Sequence, residues 1–385
     1  VGNNVSNLNT PGFKGQEMVF EDLFYANSEE NGEGDGQRSS SVGHGAQIGS
    51  TNTRFSQGEI RETSNATDLA VDGNGFFIIE QDGEYFYTRA GRFEFNDEDE
   101  LVDSTSGGYV MALNEDGELV RVTITNRTNP ALATTTVNFE GTLDSNTEDG
   151  ANFEIPKDAT EPDEATITVY DSLGEAHELK IRFTKNGFVE GSTTQTVWTV
   201  EVLDGSDGDA VLTTGELRYE AGSMLDDYGA LEVTFDPEGG DESTVTLDFS
   251  ETQMLSAARS TVLADQDSID GYTRGNLVSI TFDEQGQIKF SYSNGEEEEG
   301  VHVALAQFQN QQALILNGEN KFVAPEGVDP TIGTPTKFGM GSIRGSSIEL
   351  SNVELALEFT DIIIAQRGYQ ASSHLLTVTN EMIQQ

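Results

Sequence analysis

Between Leu69 and Thr125 apolar and polar residues alternate in short runs broken by glycine turns. That is the period of strands with one face buried. In "LAVDGNGFFIIEQDGEYFYTRAGRFEF" the pair Asp82-Gly83 separates two such runs, and Asp116-Gly117 separates "YVMAL" from "LVRVTI". Both dipeptides suit two-residue hairpins, whose central residues take positive φ. A second series follows: "ATITVYD", "HELKIRFT", "QTVWTVEVL", "GELRYE", "LEVTFD" and "STVTLDFS". Short strands at this spacing, with no long helix between them, predict a sandwich or small barrel. Residues 126–164, rich in Thr, Asn, Asp and Pro, read as a boundary. Residues 27–50, polar and rich in Gly and Ser, read as a mobile connector.

At the end of the chain the period changes. Leu355, Ile362, Tyr369, Leu376 and Ile383 recur at every seventh position, and Phe359 lies one turn beyond Leu355. This predicts a long helix with a narrow seam on one face, a stripe suited to another helix and too narrow for a private core. Ser351 and Glu354 read as a capping box, with Leu350 and Leu355 as the staple. From Ser351 to Gln385 such a helix would be about 50 Å long. The glycine-rich "GMGSIRG" from Gly339 reads as a tight turn leading into it. At the other end "VGNNVSNLNT" reads as the close of a helix that Pro11-Gly12 stops. No fixed-period repeat is evident, which disfavours a solenoid. The order is helix, β, a second β block, more β, helix. Such a chain leaves and returns to one place, with its two ends side by side and the β blocks nested between them.

Charge narrows the function. Acidic residues outnumber basic ones 68 to 20, for a net charge of -48. A surface of this sign repels phosphate backbones and anionic lipid, so nucleic-acid and membrane-surface partners are not expected. The longest apolar runs, 76–79 and 362–365, are too short to insert across a bilayer. There is no cysteine, hence no disulfide framework and no thiolate metal site. The four histidines, His44, His177, His302 and His374, are isolated in the sequence. "DGSDGDAVLTTGE" from Asp204 resembles a calcium loop, but Asp209 stands where that loop needs glycine; it reads as a surface hairpin. Catalytic, cofactor and metal sites are therefore not expected.

Three segments carry a resemblance. "NNVSNLNTPGFK", "ATDLAVDGNGFFIIEQDGEYFYTRAGRFEF" and "SNVELALEFTDIIIAQRGYQASSHLLTVTNEMIQ" resemble the bacterial flagellar rod and hook axial proteins. "IDGYTRGNLVSITFDEQGQIKFSYSNG" and the inserted β block make the hook branch of that family the better match. The resemblance implies a non-enzymatic subunit that self-assembles in many copies into a flexible tube passing torque from rod to filament. Its fold would be mainly β with α-helical termini: a terminal helical coiled-coil domain, a β-rich middle domain and an inserted β-barrel or sandwich outer domain. On this chain that means residues 1–28 with 350–385, residues 29–140 with 299–349, and residues 141–298.

The resemblance further implies that Leu355, Phe359, Ile362, Tyr369, Leu376 and Ile383 form the polymerisation seam. The terminal family motif would be Asn3, Asn4, Ser6, Asn7, Asn9, Thr10, Pro11, Gly12 and Phe13. Implied partners are further copies of the chain, the flagellar rod, the hook cap, the hook–filament junction proteins and the type III export apparatus. The location would be extracellular, on the flagellum, reached without a cleaved signal peptide. Because the chain opens on Val1, the first helix is expected to continue upstream, and the last to run a few residues past Gln385. Two other readings stay open: a distal flagellar rod protein, and a secreted acidic adhesin or carbohydrate-binding β protein using Trp198 and Tyr170 as stacking residues. The large insertion argues against the first, and the helical ends argue against the second.

Overall fold

The computed structural model describes residues 1–22, 25–28, 40–43, 46–155, 167–189, 191–205, 210–235, 240–257, 259–265 and 268–383. It is mainly β, with a short helix α1 (Gly2–Ser6) at the start and a long helix α2 (Leu355–Ile383) at the end. The chain forms two compact units. One comprises residues 1–125, 279–291 and 297–385, and the other residues 126–278 and 292–296.

The second unit is a barrel-like ten-stranded sheet. Its long strands Ala176–Phe188, Gln195–Asp204 and Ala210–Glu220 form an antiparallel meander, and Ser243–Leu255 runs parallel to Thr136–Asp144. Period-two alternation does the sorting. Leu179, Ile181 and Phe183 face inward on one strand, Trp198, Val200 and Val202 on the next, and Val245, Leu247 and Phe249 on a third. The Phe139 and Phe249 rings stack at 4.5 Å, and Phe183 meets Phe249 edge-on at 5.8 Å. Trp198 is fully buried in this core, so it offers no platform to a sugar, and Tyr170 is half-buried.

Residues 126–164 are not merely a boundary. Thr136–Asp144 is a strand paired on both sides, between Ser243–Leu255 and Thr261–Ala264, with Val137, Phe139 and Leu143 fully buried. The alternation is present in "TVNFEGTLD" but is interrupted by a register shift between Asn138 and Glu140 and by Gly141. Gly141 has φ +133°, and a Cβ there would lie 2.0 Å from the Thr261 carbonyl oxygen. The hairpin expected around Asp204 is present in its flanks, which pair Asp204 with Ala210; Asp209 lies outside the described residues.

In the first unit Tyr109–Leu113 is the central strand. It pairs with Phe76–Gln81, Leu119–Arg121 and Glu297–Val303. Phe76, Tyr87, Phe308 and Phe322 fill the core, joined by the half-buried Phe55. Both expected hairpins form: Gln81 pairs with Glu84 across Asp82-Gly83 (φ +55° and +83°), whereas Leu113 pairs with Leu119 across a longer loop, residues 114–118, in which Gly117 has positive φ and Asp116 does not.

Three expectations for this unit need correction. Residues 27–50 are not simply a connector, since Tyr25–Ser28 pairs with Ser40–Gly43 and Gln16–Asp22 with Ala46–Thr53; residues 29–39 and 44–45 lie outside the described residues. Backbone ladders hold these strands, which is why a polar sequence conceals them. The glycine-rich run at Gly339 does not lead into the helix. Ser342–Gly345 pairs with Leu69–Asp72 and Ser347–Glu349 with Ile60–Glu62, and a Cβ at Gly341 would lie 2.2 Å from the Asp72 carbonyl oxygen. Finally, α2 starts at Leu355, so Ser351 and Glu354 form no capping box; residues 351–354 are held outside the helix by contacts described below.

Trp198 is the one tryptophan of the chain and reports on the second unit alone. Phe249→Ala should destabilise this unit by about 3–5 kcal/mol, the usual range for losing a buried phenylalanine. Denaturant unfolding followed by tryptophan fluorescence measures it, and a midpoint matching the unaltered chain would place Phe249 outside the core.

Candidate functional site

The two chain ends meet in the first unit around a buried carboxylate. Glu349 lies on the strand Ser347–Glu349 and is fully buried, as is its neighbour Ile348. Lys14 Nζ donates to Glu349 Oε1 at 2.6 Å, the Gly58 amide donates to the same oxygen at 2.7 Å, and Arg89 Nη1 donates to Oε2 at 3.3 Å. The cations are anchored further. Lys14 Nζ also donates to the Ser56 carbonyl at 2.8 Å, and Arg89 Nη2 to the Gly73 carbonyl at 2.8 Å. Burial pulls the pKa values of both cations down while the Glu349 carboxylate opposes that pull. Desolvating three charges is expensive and is offset only when nearly every lone pair and proton finds a partner. The bonds just described satisfy the carboxylate and most of the cation donors, though the buried Arg89 Nε has no partner among the described residues.

A second buried node fixes the start of α2. Asn4 on α1 is buried; its Nδ2 donates to Glu358 Oε1 at 2.7 Å and to the Gln16 carbonyl at 2.9 Å, while its Oδ1 accepts from the Gln16 amide at 2.9 Å. Glu358 also pairs with Arg54 at 3.4 Å. Between the nodes Asn352 acts as a knot. Its Oδ1 accepts from the Gly15 amide at 2.8 Å, and its Nδ2 donates to the carbonyls of Arg54 and Ser56 at 2.7 and 2.9 Å. These bonds, with Val353 buried beside them, keep residues 351–354 out of the helix.

The terminal motif divides accordingly. Asn4, Gly12 and Phe13 are buried in the junction. The Gly12 amide donates to the Glu349 carbonyl at 2.8 Å, and Gly12 has φ +69°; a Cβ there would lie 2.3 Å from the Ala90 backbone nitrogen. The Pro11 carbonyl accepts from Asn320 Nδ2 at 3.2 Å. Asn7 Nδ2 donates to the Asn3 carbonyl at 2.9 Å, as does Ser6 Oγ, and Thr10 Oγ1 donates to Asn7 Oδ1 at 3.2 Å, so these four tie α1 to its own exit turn. Asn9 is exposed and joins neither node.

The seam residues are placed differently. Leu355, Phe359, Ile362 and Tyr369 are exposed, from 38% for Leu355 to 79% for Tyr369. The side chains of Leu376 and Ile383 lie outside the described residues. The junction therefore grips α2 by its first turn, and beyond it the described side chains of the helix are exposed. Lys14, Arg54, Arg89, Glu349, Asn352 and Glu358 do this, and the sequence pattern singles out none of them. The signal available was the scarcity of cations, 20 against 68 acids, with Lys14 and Arg89 inside the quoted motifs.

Glu349→Gln leaves two buried cations sharing a neutral amide. Breaking a buried ionic cluster at one partner costs about 3–5 kcal/mol. Hydrogen exchange should show that loss in the amides of residues 76–88 and 342–349. Gly12→Ala should act in the same direction by forcing the Thr10–Lys14 turn off Ala90. Unchanged protection in both variants would show that the junction does not bear on the unit's stability.

Comparisons with known proteins agree along the whole chain. Family models match residues 70–167 (flagellar hook protein FlgE/F/G D1 domain), 142–340 (flagellar basal body protein FlaE D2 domain) and 344–385 (flagellar basal body rod FlgEFG protein C-terminal). The flagellar hook proteins FlgE of Borreliella burgdorferi and Treponema pallidum are each 30% identical to it, over 100% of this chain and 94% of theirs. That of Salmonella typhimurium is 26% identical with the same coverage. The crystal structure of Helicobacter pylori flagellar hook protein FlgE2 shares the fold with a TM-score of 0.56 at 16% identity, covering 75% of this chain and 100% of that one. The chain thus belongs to the flagellar hook protein FlgE family and is a structural, non-enzymatic subunit of the bacterial flagellar hook.

Proposed function

We propose that the two chain ends form one inner polymerisation domain and that the β units project from it. In this reading residues 1–28 and 350–385 build a helical coiled-coil domain, residues 29–140 with 299–349 a middle domain, and residues 141–298 an outer domain. The observation that carries it is α2 itself: a 29-residue helix, about 44 Å long, held at its first turn and exposed beyond it at the described side chains. Leu355, Phe359, Ile362, Tyr369, Leu376 and Ile383 are the seam of the coiled coil, packing against other helices when copies assemble. Self-polymerisation into the hook and an extracellular place on the flagellum come with the family. The rod, the hook cap, the hook–filament junction proteins and the type III export route without a cleaved signal peptide are the partners and path this reading assigns.

Ile362→Asp tests the seam. It should abolish tubes in negative-stain microscopy while the β units keep their unfolding midpoints, and α2 amides should exchange quickly in monomer and slowly in tubes. Tubes formed by Ile362→Asp, or equal protection in both states, would remove the seam from assembly.

Charge makes a separate prediction. Copies carrying -48 each repel one another as they pack, and this repulsion is screened beyond about 8 Å at physiological ionic strength. Raising salt should lower the concentration needed for tubes. A flat or opposite dependence, read by sedimentation from low to molar salt, would mean that charge is not what limits assembly.

A further inference from the structure

An asparagine followed by glycine can be attacked by its own backbone, because glycine puts no Cβ in the way. Four such pairs lie among the described residues: Asn74-Gly75, Asn186-Gly187, Asn294-Gly295 and Asn317-Gly318. A fifth, Asn31-Gly32, lies outside them. The glycine nitrogen must swing against the asparagine Cγ, so the peptide unit between the two residues has to be free to turn.

Three of the pairs are held. The Asn74 carbonyl accepts from the Gly341 amide at 2.7 Å, and Gly75 is buried, with a Cβ position 3.3 Å from Leu305 Cδ1. Gly187 lies in the ladder between Ala176–Phe188 and Gln195–Asp204, opposite Val197, and Asn186 Nδ2 donates to Thr199 Oγ1. The Gly295 amide donates to the Tyr292 carbonyl at 3.1 Å. Asn294 is tied as well: its Nδ2 donates to the Thr273 carbonyl at 2.9 Å, and its Oδ1 accepts from the Glu296 amide at 3.2 Å.

Asn317-Gly318 is not held. Both residues are exposed in the turn that joins Ile315–Leu316 to Lys321–Val323, and a Cβ on Gly318 would meet nothing within 4 Å. Among the described residues, the Asn317 side chain, the Asn317 carbonyl and the Gly318 amide have no hydrogen-bond partner. The far side of the same turn is tied to the junction. Asn320 Nδ2 donates to the Pro11 carbonyl at 3.2 Å, and the Asn320 carbonyl accepts from Thr88 Oγ1 at 3.0 Å. Glu319 and Asn320 both take positive φ, +48° and +57°, so this turn has little slack.

We propose that Asn317 is a self-modification site, with water as its only co-reactant. The Gly318 nitrogen bonds to Asn317 Cγ, the Cγ–Nδ2 bond breaks, and ammonia leaves with the amide proton. Water then opens the succinimide ring at either carbonyl. Opening at Cγ gives aspartate; opening at the main-chain carbonyl gives isoaspartate, in which the chain runs through the side-chain carbons. Either product adds a carboxylate near Glu319, in a chain already at -48. Isoaspartate also lengthens the main chain by one methylene just before two positive-φ residues, which draws Asn320 away from Pro11. The change loosens the junction on its N-terminal side, where the Gly12 amide donates to the Glu349 carbonyl.

The test ages the purified chain at neutral to mildly alkaline pH in water carrying heavy oxygen, and maps its peptides by mass spectrometry. Asn317 should convert, gaining one heavy oxygen, at least about tenfold faster than Asn74, Asn186 or Asn294, the ratio that about 1.4 kcal/mol of barrier gives. Hydrogen exchange at the Gly12 amide should then be faster in the converted chain than in the fresh one. Asn317→Ser, aged in the same way, should keep the fresh rate. No conversion at Asn317, or conversion as fast at any of the other three pairs, would overturn the site. Unchanged Gly12 exchange in the converted chain would overturn its link to the junction.

Discussion

One carboxylate holds the first unit to both chain ends. Glu349 gathers Lys14 from the N-terminal segment, Arg89 from the β core and the Gly58 amide, and the next residues lead through Asn352 to α2. Without it, two cations would be left in a dry interior, a worse state than if no charge had been placed there. The N-terminal segment, strands 60–62 and 347–349, and the helix entry are thus specified together. Displacing one of them leaves a buried partner unsatisfied in another.

The ionic choice has a geometric consequence. Apolar groups of the same volume would fill this space, but they accept many orientations. A carboxylate bonded by an ammonium, a guanidinium and an amide accepts few. The exit direction of α2 is set by the same network, through Asn4 and Arg54 on Glu358. Small angular errors at the first turn grow along a helix about 44 Å long. In the proposed reading, where α2 joins copies, that direction has to be fixed where the helix begins, and the polar nodes stand there.

Much of the architecture was legible because it is periodic. Period two gave the inward residues of 176–188, 195–204 and 243–255, and Asp82-Gly83 gave a hairpin by turn chemistry alone. The period of seven gave α2. What stayed hidden was held by contacts with no period. Strand 46–53 reads as polar coil because its ladder with 16–22 is backbone to backbone. The helix start was misplaced because Ser351 and Glu354 have the local signature of a cap, while Asn352 donates hydrogen bonds to carbonyls nearly three hundred positions away. Of the candidate site, the motif 3–13 and the seam were found as patterns, but Glu349 and Arg89 were not. A buried ion cluster assembled from three distant segments leaves no local mark on any of them.

The two kinds of core in this chain divide its labour. Trp198, Phe249 and their neighbours are fully enclosed within the second unit, and Phe76 and Phe322 within the first. The large apolar side chains of α2 that the structure describes, from Leu355 to Met382, are exposed. Burial of apolar surface stabilises wherever the surface goes, so the β units carry stability that a single copy already has, while in the proposed reading α2 gains its share on contact with other copies. The large negative charge sharpens this division. It opposes close approach everywhere on the surface, so copies associate only where apolar area and matched charge outweigh repulsion. In the proposed reading, charge over the body and the exposed apolar residues of one clamped helix together direct association to that helix and away from the β units.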